Sequence, residues 1–156
     1  YSLMPCNLYG PRDNFNLETS HVLPAFINKV YAAKLSNQKE IEVWGSGKPL
    51  REFLYVEDLA NAVTFCLENI DAEDIYPKGI SHLNCGSEEE VYISELMYLI
   101  QDVIGYSGRI VFDKSKPDGT FRKKMDNSII KNLGFFSTTT LEKGIEQTYN
   151  WYINNI

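Results

Sequence analysis

Basic charge, histidine and paired cysteine are all scarce in this sequence. Fifteen Lys and Arg stand against 21 Asp and Glu, for a net charge of −6. That leaves no excess of cations to follow a phosphate backbone, so no nucleic-acid partner is expected. The three cysteines, Cys6, Cys66 and Cys85, are far apart, form no CxxC pair and have only two histidines for company. Neither a metal site nor a disulfide framework is expected from them, and reduced thiols in a cytoplasmic protein are the plain expectation. No apolar stretch approaches the roughly 20 residues that cross a bilayer, so no membrane partner is expected, and no leader-like segment opens the chain. The first residue is Tyr1, inside the apolar segment Tyr1-Ser2-Leu3-Met4, which reads as a strand cut from a longer protein.

What remains is an ordinary globular composition. The 156 residues suit one domain, and 44% apolar with 23% charged residues suffices for a real core.

Residues 1–8 predict a short strand, and the Gly, Pro, Asp and Asn of residues 9–14 predict a loop. After Ser20, the apolar residues Val22, Phe26, Val30 and Ala33 recur on one helical face. Thr19 or Ser20 is the expected cap, and Pro24 falls in the first turn, where a missing N–H does no harm. Glu40 to Trp44 alternates like a strand, Gly45 to Pro49 is a turn, and Arg51 to Tyr55 is a further extended segment. A second helix carries Val56, Leu59, Ala60, Val63 and Leu67 as its apolar stripe, with Glu57 and Asp58 in its first turn, near the positive end of the helix dipole. Ile80 to Cys85 reads as a buried strand containing His82. The run Glu88-Glu89-Glu90 reads as a solvated face or the approach to a helix, and Ser94 as the cap of a third helix that ends at Gly105. Arg109 to Phe112 is a strand, Asp113 to Lys124 a polar loop and Asp126 to Leu133 a short helix. Thr139-Thr140-Leu141-Glu142 resembles a capping box, opening a last helix packed through Tyr149, Trp151 and Tyr152. Strands and helices alternate, which predicts the α/β class in one compact unit.

Arg51 lies between a Gly-rich turn and a helix start. There its planar fork can hold a phosphate, or it can simply pair at the surface with Glu52. The segments NLYGP (Asn7 to Pro11) and REFLYVEDLA (Arg51 to Ala60) resemble recurring stretches of the extended short-chain dehydrogenases/reductases that act on nucleotide sugars. With DNFNLETSHVLPAFI, VWGSGKPLREFLYVEDLA, VFDKSKPDGTFRKK and GIEQTYNWY, the resemblance narrows to the GDP-L-fucose synthases and covers essentially all 156 residues.

That resemblance implies the C-terminal part of an extended Rossmann enzyme, with edge strands of the parallel sheet plus the small α/β substrate-binding domain. Residues 1–156 would all belong to the substrate-binding part, with the NADP-binding domain absent. It also implies a cytoplasmic homodimer that uses NADP(H) on a GDP-sugar. The family epimerises C3 and C5 of GDP-4-keto-6-deoxy-D-mannose, then reduces the C4 ketone to give GDP-L-fucose. The family's GxxGxxG and Tyr-x-x-x-Lys are missing: no three glycines have that spacing, and none of the ten tyrosines has a Lys four positions on. The chain alone is therefore not expected to turn over. A sibling enzyme acting on a GDP-6-deoxy-heptose and a non-catalytic nucleotide-sugar module remain open alternatives.

The resemblance makes His21 the epimerisation acid. Inverting a carbon beside a ketone needs a base on one face and an acid on the other, and an imidazole titrates near neutral pH. Without the resemblance, His21 reads equally as a helix cap or a solvated side chain. Pro5, Cys6, Asn7 and Leu8, with His21, match the nicotinamide end of the cofactor site, and Asn7 also lies beside the sugar. Lys29, Trp44, Arg51, Lys116 and Asp118 match substrate-binding positions, with Arg122 in the same loop. Trp44 would pack against the nucleotide, with ordinary core as the lesser alternative, and Phe121 departs from the proline expected beside Arg122.

Overall fold

A computed structural model describes all 156 residues. The N-terminal apolar run is one extended segment that changes partners at Cys6. Its first half, β1 (Ser2–Pro5), pairs in parallel with β5 (His82–Cys85). Its second half, β2 (Asn7–Tyr9), pairs in parallel with β4 (Leu50–Tyr55), placing Asn7 opposite Phe53. Strand β4 is the hub of its sheet. Its first residues also pair antiparallel with β6 (Glu90–Tyr92) and in parallel with β8 (Arg122–Lys123). A separate parallel ladder joins β3 (Glu40–Trp44) to β7 (Arg109–Asp113). Parallel neighbours need crossover connections, here supplied by helices. The architecture is therefore α/β, as the alternation of elements predicts.

The helices are α1 (Val22–Leu35), α2 (Val56–Asn69), α3 (Ala72–Ile75), α4 (Ile93–Ile104), α5 (Ser128–Asn132) and α6 (Leu141–Ile153). They fill two cores. The larger one joins α1, α4 and α6 to β3 and the inner side chains of β4, around Ile27, Val30, Leu96, Met97, Ile100 and Ile145. The smaller one lies between β1, β5, α2 and α5, around Leu54, Ala62, Cys66, Leu83, Cys85 and Ile130.

Several local expectations need correction. The α1 cap is His21, not Thr19 or Ser20, and it caps through its extended backbone with no side-chain hydrogen bond. Ser94 lies inside α4. The residue before that helix is Tyr92, whose N–H donates to the Glu95 carboxylate at 3.0 Å. His82 is exposed although it starts β5. Glu90 is not on a free solvated face, because it sits in β6 and pairs with Arg122 at 2.6 Å. The largest correction is α2, whose buried residues are Asp58, Ala62 and Cys66. Small side chains at this spacing let the helix approach the sheet, and Val63 and Leu67 are turned outward, 42% and 81% exposed. The last helix is capped one residue later than the Thr139–Glu142 spacing implies: Thr140 is the cap, its hydroxyl accepting from the Lys143 N–H at 3.4 Å, and no reciprocal bond from Glu142 forms.

Candidate functional site

The chain leaves β2 through Tyr9-Gly10-Pro11-Arg12 and passes the start of α2. A Cβ at Gly10 would collide with Val56, so only glycine allows this approach. Arg12 follows in the left-handed region (φ 67), which is uncommon for a side chain of its size. The loop then folds on itself through its asparagines. The Asn14 side chain accepts from the Asn16 N–H at 3.0 Å, and the Asn16 side chain from the Glu18 N–H at 2.8 Å. Such side-chain turns replace the hydrogen bonds that a regular element would give. Their result is to deliver the chain into α1 at His21.

A cleft of about 450 Å³ opens at the carboxyl end of β2, lined by the run Cys6 to Asp13 together with His21 and Val56. In open α/β sheets this is the end at which ligands bind. Asn7 is fixed by donating its side-chain N–H to the Glu52 carbonyl at 2.8 Å. Burial, and next the nearby Glu52 carboxylate, push the Cys6 thiol up to about 12. It therefore stays protonated and inert at neutral pH, and acts as a packing group in the wall. Cys6, Asn7, Leu8 and His21, four of the residues matched to the cofactor, meet in this cleft. Pro5 does not line it and remains in β1 opposite Cys85.

A second cleft, of about 370 Å³, lies on the other side of the first turn of α1, lined by Leu17, Val22, Ala25, Phe26, Lys29, Val43, Trp44 and Ile93. His21 lines the first cleft, and the next residue, Val22, lines the second. Trp44 is not core: its ring is 70% exposed, at the end of β3. The Lys116 ammonium stands 5.4 Å from the centre of that ring, within cation–π range. Lys29 lies two turns into α1, with its ammonium on the Glu42 carbonyl.

The loop after β7 is clasped onto the β3–β4 turn. Asp118 accepts from the Ser46 N–H at 2.7 Å and the Ser46 hydroxyl at 2.6 Å. These hydrogen bonds hold its carboxyl below the usual range. Arg51 donates to the carbonyls of Leu50 at 2.7 Å and Thr120 at 2.6 Å. The structure thus brings Arg51, Lys116 and Asp118 together at the β3–β4 turn and the loop clasped onto it by Asp118, with Trp44 beside Lys116 and Lys29 sharing the second cleft with Trp44. Arg122 is directed elsewhere, to Glu90. No group of three His, Cys, Asp or Glu side chains is placed to hold a metal.

Two carboxylates of the motif escaped sequence reasoning. Glu52 does not pair with Arg51. It is fully buried and accepts from the Glu88 N–H at 2.7 Å, the Met125 N–H at 3.1 Å and the Asn127 amide at 3.2 Å. A Cβ at Gly86 would collide with it. Asp58 is also buried and accepts from the Thr139 N–H at 3.0 Å and the Thr138 N–H at 3.4 Å. Both replace water by neutral N–H donors, as buried acids must. Together they tie the C-terminal third to β4 and α2. Each follows or precedes an apolar run, a position that carries no local mark of burial.

Comparison with known proteins shows the family and the fold. Residues 1–86 match the NAD dependent epimerase/dehydratase family. The chain is similar to probable GDP-L-fucose synthase 1 of Oryza sativa subsp. japonica, 50% identical over 99% of this chain and 45% of that protein. It is also similar in structure to a GDP-L-fucose synthetase from Naegleria fowleri bound to NADP, with a TM-score of 0.87 and 35% identity, over 98% of this chain and 46% of that one. A GDP-6-OMe-4-keto-L-xylo-heptose reductase from C. jejuni superposes with a TM-score of 0.90 at 32% identity, over 99% of this chain and 53% of that one. The chain spans about half the length of these relatives.

Proposed function

The chain belongs to the NAD dependent epimerase/dehydratase family, and on that premise we propose that it is the nucleotide-sugar-binding part of an NADPH-dependent enzyme that epimerises and reduces a GDP-4-keto-6-deoxy sugar. One observation carries this reading: His21 opens into the same cleft as Cys6, Asn7 and Leu8, while the next residue, Val22, lines a cleft edged by Trp44 and Lys29, with the Lys116 ammonium over the Trp44 ring. A sugar bridging the two clefts would lie beside His21, with its nucleoside diphosphate running toward Trp44.

The residues of the first cleft fit the ring end of a nicotinamide dinucleotide. Leu8, Pro11 and Val56 give apolar walls, and Asn7 gives a fixed amide. When bound, that cofactor supplies hydride to the ketone carbon. This chain holds the ring end and offers no glycine-rich cradle for the cofactor's phosphates. Lys29, Lys116 and Arg51 supply cationic charge for the substrate diphosphate, and Trp44 supplies an aromatic face. His21 delivers a proton to the carbanion face opposite the base, which an imidazolium can do and an ionised carboxylate cannot.

The sugar is GDP-4-keto-6-deoxy-mannose on this reading, because fucose synthases resemble the chain more closely in sequence than the heptose enzyme does. The close superposition with a heptose reductase supports a second reading, reduction of a GDP-heptose without epimerisation. The test is His21→Gln in the full-length enzyme, fed the 4-keto-mannose substrate with NADPH. Loss of a positioned acid slows epimerisation by about 10²- to 10⁴-fold, giving little fucose and some unepimerised 4-reduced sugar. GDP-fucose formed at the normal rate would overturn the acid assignment.

A further inference from the structure

We propose that Phe15 is a positioning residue for His21, through the loop it anchors. The loop from Arg12 to Ser20 carries two large apolar side chains. Leu17 is 56% exposed at the rim of the second cleft. Phe15 alone is packed inward, its ring 4.4 Å from that of Tyr152 and stacked at 6.2 Å and 20° on that of Trp151, both on α6. Tyr152 is braced in turn by Tyr31 of α1 at 5.8 Å. The Phe15 carbonyl is held from α1 as well, accepting from the Asn28 amide at 2.7 Å. All other side-chain hydrogen bonds of the loop are internal, running among Asp13, Asn14, Asn16, Glu18 and Thr19. Apart from the buried Ser20 hydroxyl, which has no partner, the loop's polar side chains that form hydrogen bonds do so among themselves, and the loop is fastened to the body at Phe15.

This fastening bears on the chemistry because of where the loop ends. His21 makes no side-chain cap, so the direction of its ring is set by the backbone at the junction, φ −72 and ψ 165. On one side that backbone is α1. On the other it is the loop, through the Ser20 N–H donating to the Asn16 carbonyl at 2.9 Å. Arg12 and Asp13, from the same loop, form the wall beside His21. Releasing Phe15 frees both the wall and one side of the junction, while the core around α1 keeps its own contacts. Misplacement of about 1 Å at a reacting group can cost on the order of 10²-fold in rate.

The proposal rests on the reading of His21 as the epimerisation acid, and the experiment separates the two. In the full-length enzyme, deuterium uptake from D2O into the keto-sugar reads epimerisation. NADPH oxidation with the already epimerised ketone reads reduction. Phe15→Ala is expected to lower deuterium uptake by roughly 10- to 100-fold through kcat, with KM and the reduction rate little changed. Phe15→Tyr, which keeps the ring, restores uptake. Trp151→Leu empties the same socket from the other side and is expected to repeat the Phe15→Ala pattern, which keeps the test usable if Phe15→Ala does not fold. Normal uptake in folded Phe15→Ala or Trp151→Leu, with uptake lost in His21→Gln, would overturn the positioning role and leave the acid role standing. Equal loss of epimerisation and reduction would mark Phe15 as structural only and overturn the proposal too. Uptake untouched in all variants would remove the acid role, and the proposal with it.

Discussion

Helices α1 and α2 have the same length, 14 residues each, and opposite surroundings. α1 is enclosed by α4, by β3 and by the aromatic side chains reaching it from α6, and it buries Leu23, Pro24, Phe26, Ile27, Val30 and Ala33. α2 is covered on one side only and buries Asp58, Ala62 and Cys66. Its larger apolar side chains, Val63 and Leu67, face outward beside Tyr1 and Leu3, edging a groove of about 380 Å³. The first helix is held by apolar volume. The second is held by close approach of small residues and by one buried carboxylate. An apolar stripe on a helix thus reports which surface favours burial, and the surrounding chain decides whether that surface is covered.

The sharpest way to break the comparison is to remove equivalent apolar volume from each helix. Ile27 is fully buried in the larger core. Ile27→Ala removes its side chain from a site with no room to collapse, and is expected to cost about 2–5 kcal/mol. Urea denaturation monitored by circular dichroism reads this as a lower midpoint with an unchanged slope. If the cost fell below about 1 kcal/mol, α1 would be as loosely enclosed as α2 and the contrast would fail.

What could be read in advance follows the same division between local and distant causes. The strand at Glu40 to Trp44 and the helix ending at Gly105 depend on neighbours within a few residues, and each forms where the pattern places it, while the cap of the last helix falls one residue past Thr139. β6 and β8 have three and two residues. They exist because β4 lies beside them, a cause no local window contains. Glu52 and Asp58 escaped notice because a carboxylate next to apolar residues looks the same whether it faces water or accepts from distant N–H groups. In the site, Arg51 beside the Gly-rich turn left phosphate binding and a pair with Glu52 both open, and the structure removes the pair: Arg51 donates to the Leu50 and Thr120 carbonyls. His21 was not legible, because a histidine ahead of a helix reads equally as a cap. Only the resemblance of the surrounding motif implies a role for it, and the structure adds that no side-chain cap is made.

A second test concerns the polar anchor of α2. The Asp58 carboxylate accepts from two backbone N–H groups and one hydroxyl of Thr138 and Thr139. Asp58→Ala leaves those donors without partners beneath the helix, at an expected cost of about 1–3 kcal/mol. Hydrogen exchange at the Thr138 and Thr139 amides should rise with it, since those two lose their acceptor. A stability change with no rise in exchange at these two amides would assign the effect to helix-dipole electrostatics instead.

The smallest expected effect completes the contrast with Ile27. Val63 and Leu67 project into solvent in this chain, so their apolar area is already hydrated and little transfer free energy is at stake. Replacing both by Ser is expected to move stability by no more than about 0.5 kcal/mol, the range of ordinary surface changes. The slightly lower helix propensity of Ser over Leu acts in the same small range. Self-association should respond more than stability does. The two side chains edge an apolar groove with Tyr1, Leu3, Cys66 and Ile70, and contiguous exposed patches of this kind promote association between molecules. Sedimentation of the double variant at increasing concentration should therefore show less association than the parent chain, at nearly the same urea midpoint. A loss of about 2 kcal/mol or more would mean that these side chains are packed in solution. In that case α2 would be enclosed like α1, and the distinction drawn between the two helices would not hold.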